Sequence, residues 1–264
     1  MAFLSSAPRL TTASNEPARW PANTGAPLAQ AIPGSQRGVR MDLQIDLRYE
    51  IDSYGADFVF NIHAAQTPHQ IVYNERLVLS QDIPHQIHTD PATGNRYLRL
   101  HGEPGMLELT YSATVDIRHH RADPTQLAEV PVRHLPPHVM GYIYPSRYCQ
   151  SDRLLRLALN EFGALWQGHS RVQAIRDWVN RHVAFTSNTS NSNTSAVDTL
   201  VEQVGVCRDF AHLMIALCRA VNIPARFTTG TDYGADPALG PPDFHAYVEA
   251  VSYTHLTLPT KRIV

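Results

Sequence analysis

The chain has 264 residues, of which 43% are hydrophobic, with 22 basic and 24 acidic residues and a formal net charge of −2. This length allows one large domain or two modest ones with real cores, and the composition is ordinary for a globular protein. A nearly neutral chain without a long basic run argues against nucleic acid as a partner. No segment reaches the ~18 consecutive apolar residues of a membrane span, so we also expect no membrane association.

The first part of the chain changes character near Met41. Residues 1–40 are rich in Ala, Pro, Ser, Thr and Gly and lack the apolar stretch of a secretory signal, so we expect a disordered leader or upstream extension. From residue 41 to 130, short alternating runs such as 43–49 and 107–115 recur between turn residues. This pattern predicts an antiparallel β-sandwich-like N-terminal domain. A proline-rich connector, residues 131–145, follows it.

Residues 146–251 show helical periodicity followed by strand patterns. Ser151 and Ser170 are each placed to cap a helix, which predicts two helices before a polar loop at 186–195. After Gly205, apolar residues recur at spacings of three and four up to Val221, so Cys207 is expected in the first turn of a further helix. Two strands are predicted after that helix, at 225–229 and 244–251.

The last two predicted elements indicate thiolate chemistry. In the strand at 244–251, His245, Tyr247 and Glu249 share one face. The order of helix, strand, loop and strand allows a sheet to bring His245 against the thiol of Cys207. A helix N-terminus and a neighbouring imidazolium both favour the thiolate, which is the nucleophilic form of cysteine.

The residues around both positions resemble a known family. The stretch GVCRDFAHLMIALCRAVNIPAR at 205–226, followed by DFHAYVEA at 243–250, is similar to the core of the transglutaminase-like superfamily. The similarity is to its bacterial branch, often described as cysteine proteases with a papain-like core. Residues 144–149 and 195–200 also look like that branch, as does a β-rich segment from about Leu43, so the resemblance covers roughly residues 41–250.

This resemblance implies a fold and a mechanism. The fold would be α+β, with the cysteine-bearing helix packed on an antiparallel sheet that carries the histidine. Cys207 would be the nucleophile and His245 its general base and acid, acting through a thioester acyl-enzyme on a protein or peptide substrate. The resemblance implies neither a cofactor nor a metal.

The C-terminal part of the chain departs from the family pattern. The family places an aspartate about fifteen residues after the histidine, but no carboxylate follows Glu249 in this sequence. We therefore expect residues 252–264 to be a non-native tail, poorly packed against the core. The catalytic core would then be incomplete, and the chain as written would be less active than one with its native continuation.

Other residues offer weaker candidates for chemistry. Cys149 follows a turn-like segment and is a second thiol, but no histidine-bearing strand accompanies it. His212 lies five residues after Cys207, which at ~100° per residue points it well away, so we interpret it as a packing residue. Asp209, next to Arg208 in the first turn, is interpreted as helix capping.

The histidines and cysteines do not form a metal-binding pattern. No histidine pair has a second pair at ligand spacing. The pairs are His85 with His88, His119 with His120, and His134 with His138. The three cysteines also lack paired spacing, which argues against a zinc site and for a reducing compartment, so we expect a cytoplasmic protein.

Two classes of function remain open at this point. A thiol enzyme could crosslink glutamine to lysine, deamidate glutamine or hydrolyse peptides, because all three reactions share the acyl-enzyme step. Hydrolysis is slightly favoured, since water needs no dedicated acceptor pocket. The second class is a non-catalytic binding or assembly module of the same fold, which the missing aspartate favours.

Overall fold

The computed structural model describes residues 38–67, 69–91, 94–118, 123–231, 244–252 and 256–259, with the backbone alone for residues 231, 251, 252 and 256–259. Within these ranges the chain divides into two compact units, one up to residue 118 and one from residue 123 onward. No helix in the described part is long and apolar enough to cross a membrane. The expected leader lies outside the described residues except for its last three.

The described part of the first unit consists of antiparallel strands. They are β1 (Val39–Ile51), β2 (Ala56–Phe60), β3 (Gln70–Leu79), β4 (His85–Thr89), β5 (Arg96–Gly102) and β6 (Gly105–Ile117). Two three-stranded sheets result, with strand orders β1-β6-β3 and β2-β5-β4. Tyr49 and Phe58, from different sheets, have ring centroids 5.0 Å apart. The predicted sandwich-like organisation of antiparallel strands is confirmed.

Alternation of side chains explains which face of β6, the central strand of its sheet, is buried. Leu107, Leu109 and Tyr111 are at most 1% exposed, whereas the residues between them are more accessible. Such a period-two pattern turns one face of the strand into the core. The N-terminal domain begins two residues earlier than expected, because β1 starts at Val39. Arg40 belongs to the fold, since its Nε lies 2.7 Å from Oδ1 of the buried Asp116 in an ion pair.

The described part of the second unit contains α-helices, a three-stranded sheet and a two-stranded sheet. The α-helices are α1 (Ser151–Phe162), α2 (His169–His182), α3 (Ala196–Glu202) and α4 (Cys207–Ala220). Short 3-10 helices at Pro124–Gln126, Val132–His134 and Pro137–Ile143 occupy the segment that precedes them, including the proline-rich connector. The strands are β7 (Ala184–Phe185), β8 (Val204–Gly205), β9 (Ala225–Thr231), β10 (Phe244–Ser252) and β11 (Leu256–Pro259).

The predicted serine caps of the first two helices are wrong, by one residue at α1 and by two residues at α2. Ser151 and Ser170 lie inside α1 and α2, and neither helix has a side-chain cap at its N-cap position. At α2 the N-cap is Gly168, whose N–H donates to Glu129 Oε1 at 3.1 Å. Glu129 also pairs with the buried Arg171 in the first turn. A distant carboxylate thus takes the role that the sequence assigned to a local hydroxyl.

The helix α3 is an addition to the predicted set. Its N-cap, Ser195, and Asp198 form a capping box, in which the Asp198 carboxylate accepts from the Ser195 backbone N–H at 2.9 Å. Satisfying the free N–H groups in this way stabilises even a short helix. Three helices therefore precede α4, where the sequence indicated two.

The helix α4 is the core of the second unit. Eleven of its fourteen residues are buried, and the unit's hydrophobic core includes this helix together with residues of β9 and β10. The three-stranded sheet of this unit has the order β11-β10-β9, and its neighbouring strands are antiparallel. The predicted α+β arrangement, a cysteine-bearing helix packed on a sheet that carries the histidine, is confirmed.

The tail contributes a strand to this sheet. β11 pairs with the end of β10, from Glu249 opposite Pro259 to Ser252 opposite Leu256. The expectation that residues 252–264 are poorly packed did not include this pairing. The pairing stops four residues short of His245, and the packing of the tail's side chains stays a prediction.

Candidate active site

Cys207 is the first residue of α4 and is half-buried. The other two thiols are buried, with Cys149 5% exposed and Cys218 fully inaccessible. Burial raises the pKa of the Cys149 thiol, and it raises the pKa of Cys218 to about 12. Because only a thiolate is a good nucleophile, accessibility and acidity both disfavour Cys149 and Cys218.

Asp209 supplies the cap of this helix. The N-cap residue is Val206, whose side chain has no polar atom, and its backbone N–H donates to Asp209 Oδ2 at 2.9 Å. Gly205 makes this contact possible, since a Cβ at residue 205 would lie 2.8 Å from Asp209 Cβ. The interpretation of Asp209 as helix capping is confirmed, and Gly205 is more than a break in the helical pattern.

The same carboxylate connects the helix to the loop at 186–195. Asp209 is fully buried, and its Oδ1 accepts from Ser190 Oγ at 2.9 Å. Arg208 donates to Asn191 O at 2.6 Å, contacts Ser190 Oγ, and lies 3.4 Å from Asp209 Oδ1. A buried carboxylate needs such partners, because an unpaired buried charge is strongly unfavourable. The loop is therefore attached to Arg208 and Asp209, the two residues that follow Cys207.

His245 is the second residue of β10 and lies directly opposite Gly230 of β9. β9 runs back along α4. Arg219 near the end of α4 donates to Ala225 O at the start of β9 at 2.9 Å, and the ring of His212, earlier in α4, is 5.3 Å from that of Phe227, later in β9. Cys207 is about 7.5 Å further toward the N-terminus of α4 than His212, at 1.5 Å per residue. Gly230 is about 10 Å further along β9 than Phe227, in the same direction.

The fold thus brings the start of α4 and the start of β10 to the same end of the unit. The register also confirms the predicted faces of β10: Tyr247 and His245 have rings 6.5 Å apart, and Ala246 and Val248 belong to the other face, which packs on the core with α4. The separation between Cys207 Sγ and the His245 imidazole stays a prediction.

The face of the sheet that carries His245 is held together by an ion pair. Arg226 Nε lies 2.5 Å from Glu249 Oε2, in directly opposite positions of β9 and β10. The Arg226 guanidinium also lies over the Tyr142 ring, 5.6 Å from its centroid. Glu249 is therefore engaged in pairing two strands, four residues from His245 along β10.

His212 is a packing residue, as expected. It is 8% exposed, and its ring stacks on Tyr148 with centroids 5.1 Å apart and planes 6° apart. Burial lowers its pKa to about 4, with a further contribution from Arg208. The imidazole is thus neutral at pH 7, and its Nδ1 has no hydrogen-bond partner.

The described residues contain no group of three or more His, Cys, Asp or Glu side chains that could hold a metal ion. His119 and His120 lie outside that part of the chain. The four residues of β11 include no carboxylate, and Tyr253 and His255 lie outside the described residues.

Sequence reasoning missed the connection between α4 and the loop. Asp209 and Ser190 are 19 residues apart and belong to no common motif. The one local signal is the spacing of Val206 and Asp209, which matches a capping box with its hydroxyl residue replaced by valine. Gly205, which precedes Val206, is consistent with this cap, because a larger residue there would collide with the Asp209 side chain.

Comparison with known proteins identifies the family. The profile of the transglutaminase-like superfamily core matches residues 163–256, and that of the bacterial transglutaminase N-terminal domain matches residues 39–138. The crystal structure of a "putative cysteine protease" from Cytophaga hutchinsonii is 39% identical, covers 84% of this chain and 76% of that one, and has a TM-score of 0.78. The chain belongs to the transglutaminase-like superfamily.

Two further similarities are more limited. An uncharacterized protein of Mycobacterium leprae, ML0607, is 34% identical over 59 residues, which are 22% of this chain and 21% of that protein. The periplasmic domain of TgpA from Pseudomonas aeruginosa is 18% identical over 97% of this chain and 81% of that one, with a TM-score of 0.43. The Cytophaga hutchinsonii structure and the superfamily profile support a general cysteine protease or transglutaminase type of function.

Proposed function

We propose that this protein is a thiol-dependent acyl-transfer enzyme that acts on an amide of a protein or peptide, with Cys207 as nucleophile and His245 as general base and acid. The observation that carries the proposal is the position of Cys207. Cys207 is the half-buried thiol at the first residue of a buried helix, and it lies at the end of the unit where β10 starts, with His245 as the second residue of that strand.

The chemistry proceeds in two halves. The Cys207 thiolate forms a bond to the amide carbonyl carbon, the C–N bond breaks, and the leaving amine or ammonia takes a proton from the His245 imidazolium. Water or an acceptor amine then attacks the thioester while the imidazole accepts its proton, and the thiolate is released. The backbone N–H of Cys207, at the helix start, is the proposed donor to the developing oxyanion.

The acceptor determines the product. Water gives hydrolysis of a peptide bond or deamidation of glutamine, and a lysine amine gives a crosslink. Hydrolysis remains the favoured outcome, because no dedicated acceptor pocket is needed for water. The alternative is a binding module without turnover, and the same experiment separates the two.

The test uses a glutamine-containing peptide as acyl donor, with and without a primary amine. Release of ammonia, incorporation of the amine and cleavage of the peptide are measured in parallel. Cys207→Ala should lower turnover by about a thousandfold or more, as removal of a nucleophile does in other thiol and serine enzymes. His245→Gln should give a comparable loss.

The matched control is Cys218→Ala, which removes a buried thiol of the same helix. It should lower stability but leave turnover per folded molecule within about threefold, since a truncated core side chain acts on stability. Turnover that survives Cys207→Ala would refute the proposal. A wild-type protein that forms no thioester and binds peptide equally well as Cys207→Ala would instead support the binding module.

A further inference from the structure

The first turn of α4 is capped by an arrangement that differs from that of its neighbour α3. In α3 the N-cap Ser195 provides both groups that contact Asp198, its backbone N–H at 2.9 Å and its hydroxyl at 2.6 Å. In α4 the N-cap is Val206, which provides only the backbone N–H to Asp209. The hydroxyl comes from Ser190 in the preceding loop.

Because the hydroxyl comes from the loop and not from the N-cap residue, the cap of α4 stabilises more than its own helix. A capping box within one segment stabilises only its own helix. A hydroxyl that comes from 19 residues away also fixes the loop, because Ser190 cannot keep its bond to Asp209 Oδ1 unless the loop stays beside the helix start. Asp209 is fully buried, whereas Asp198 is exposed, so the α4 carboxylate depends on these partners far more.

Both neighbours of Cys207 in the chain are held by the same group of residues. On one side, Val206 donates its N–H to Asp209. On the other side, Arg208 donates to Ser190 Oγ and to Asn191 O. The thiol therefore lies on a backbone that is fixed at the preceding and the following residue.

The loop is itself fixed at its two ends. At its start, the N–H of Thr186 donates to Gly205 O at 3.0 Å. Near its end, Ser192 O accepts from the Tyr148 hydroxyl at 2.8 Å. The loop has three attachments, and two of them reach residues within two positions of Cys207, so it has little freedom to move independently of the thiol.

From these contacts we infer that Asp209 is a positioning residue, which, together with Ser190, holds Cys207 and the loop at 186–195 in one fixed arrangement and makes that loop a wall of the active site. The inference rests on the proposed function, because it assigns Cys207 the role of nucleophile. Positioning matters for such a residue, since a displacement of about 1 Å at a reacting group can cost about 100-fold in rate.

The test compares Asp209→Asn with Asp198→Asn. Both changes replace a carboxylate at the third helical residue with an amide of the same shape. Asp198 contacts only Ser195, the N-cap of its own helix at the very end of the loop, whereas Asp209 contacts Ser190 within the loop and Val206 next to Cys207. Asp209→Asn should lower kcat by at least about tenfold with a smaller change in KM. Asp198→Asn should leave kcat within about twofold and change only thermal stability.

A second pair of variants avoids a change of charge. Ser190→Ala removes the hydroxyl that reaches Asp209, and Ser190→Thr retains one. Ser190→Ala should lower kcat and Ser190→Thr should restore most of it, although both variants are folded. A role in stability alone would instead make kcat follow the melting temperature in all four variants.

Amide hydrogen exchange tests how firmly the backbone around Cys207 is held, and it does not depend on enzyme activity. In Ser190→Ala and Asp209→Asn, amides of residues 206–208 should exchange at least about tenfold faster, because a hydrogen bond to a buried charge is lost or weakened. Unchanged exchange at these amides, or equal kcat in Asp209→Asn and Asp198→Asn, would overturn the inference. Turnover that survives Cys207→Ala would refute the proposed function separately, and the exchange result would still decide whether Asp209 and Ser190 fix the backbone at residues 206–208.

Discussion

Replacement of Gly205 by alanine tests the close approach on which the start of α4 depends. An added Cβ would lie 2.8 Å from Asp209 Cβ and 3.1 Å from its Oδ2. The neighbouring atoms belong to a fully buried side chain that has hydrogen bonds on both carboxylate oxygens, so they cannot move aside freely. Either the backbone of residue 205 moves or Asp209 gives up its bond to the Val206 N–H.

A shift of the backbone at residue 205 and the loss of the hydrogen bond between Asp209 and Val206 each have an approximate cost in stability. Overpacking in a dense region costs about 1–3 kcal/mol, and a lost hydrogen bond to a charged group costs about 1.5–3 kcal/mol. Alanine also restricts the unfolded chain, which by itself raises the free energy of unfolding by about 0.4–1 kcal/mol. We therefore expect Gly205→Ala to lower the free energy of unfolding of the second unit by about 1.5 kcal/mol, which is about a tenfold change in the unfolding equilibrium.

Cys218 provides a probe that reports on this unit alone. It is fully buried in α4 with a pKa raised to about 12, so a thiol reagent labels it only when the unit opens. Labelling of Cys218 in Gly205→Ala should be about tenfold faster than in the wild type, as long as closing is faster than labelling. Mass spectrometry after trypsin digestion distinguishes this site from the other two cysteines.

Gly141→Ala is the matched control for this prediction. It lies in the second unit, in the 3-10 helix Pro137–Ile143, and a Cβ there meets no atom within 4 Å. It should change the labelling rate of Cys218 by less than about threefold or slow it slightly. Equal effects of the two substitutions would show that Gly205 is replaceable and that the reasoning about Asp209 is wrong.

Two further predictions concern the thiols and the pH dependence. Brief treatment with iodoacetamide at neutral pH should label Cys207 before Cys149 or Cys218, because it alone is accessible at a helix N-terminus; earlier labelling of either buried thiol would contradict the assignment. Since burial lowers the pKa of His212 to about 4, the unfolded state binds a proton at higher pH than the folded state does. The second unit should therefore lose up to about 3 kcal/mol as the pH falls from about 6.5 to 4, and His212→Leu should flatten this part of the profile in urea unfolding. Parallel profiles for wild type and variant would refute that role of His212.

The sequence predicted those elements whose signals are local. The start of α4 at Cys207 followed from the apolar spacing after Gly205, and the face shared by His245 and Tyr247 followed from strand alternation. Both signals survive folding because they are the patterns by which a helix and a strand bury one face in a common core. The resemblance to the superfamily rested on the same segments.

The predictions from the sequence were wrong where a hydrogen bond joins segments that are distant along the chain. The helix α2 starts at His169 because Glu129 and the preceding chain satisfy its first N–H groups, and Ser170, the locally favoured cap, is not used. The preference for a serine cap is an average over helices whose ends face solvent. A helix end that packs against an ordered segment can obtain its hydrogen bonds from that segment instead.

The cap of α4 shows how such a failure can point toward function. Read locally, Val206 is a poor N-cap, because it offers no acceptor to the free N–H groups of the first turn. A serine at 206 would repair the cap within the helix, as Ser195 does for α3, but it would remove the need for Ser190. The chain instead keeps a buried carboxylate, a glycine that makes room for it and a hydroxyl from the loop. This arrangement makes the position of the residue between Val206 and Arg208 depend on the loop beside it, and that residue is Cys207.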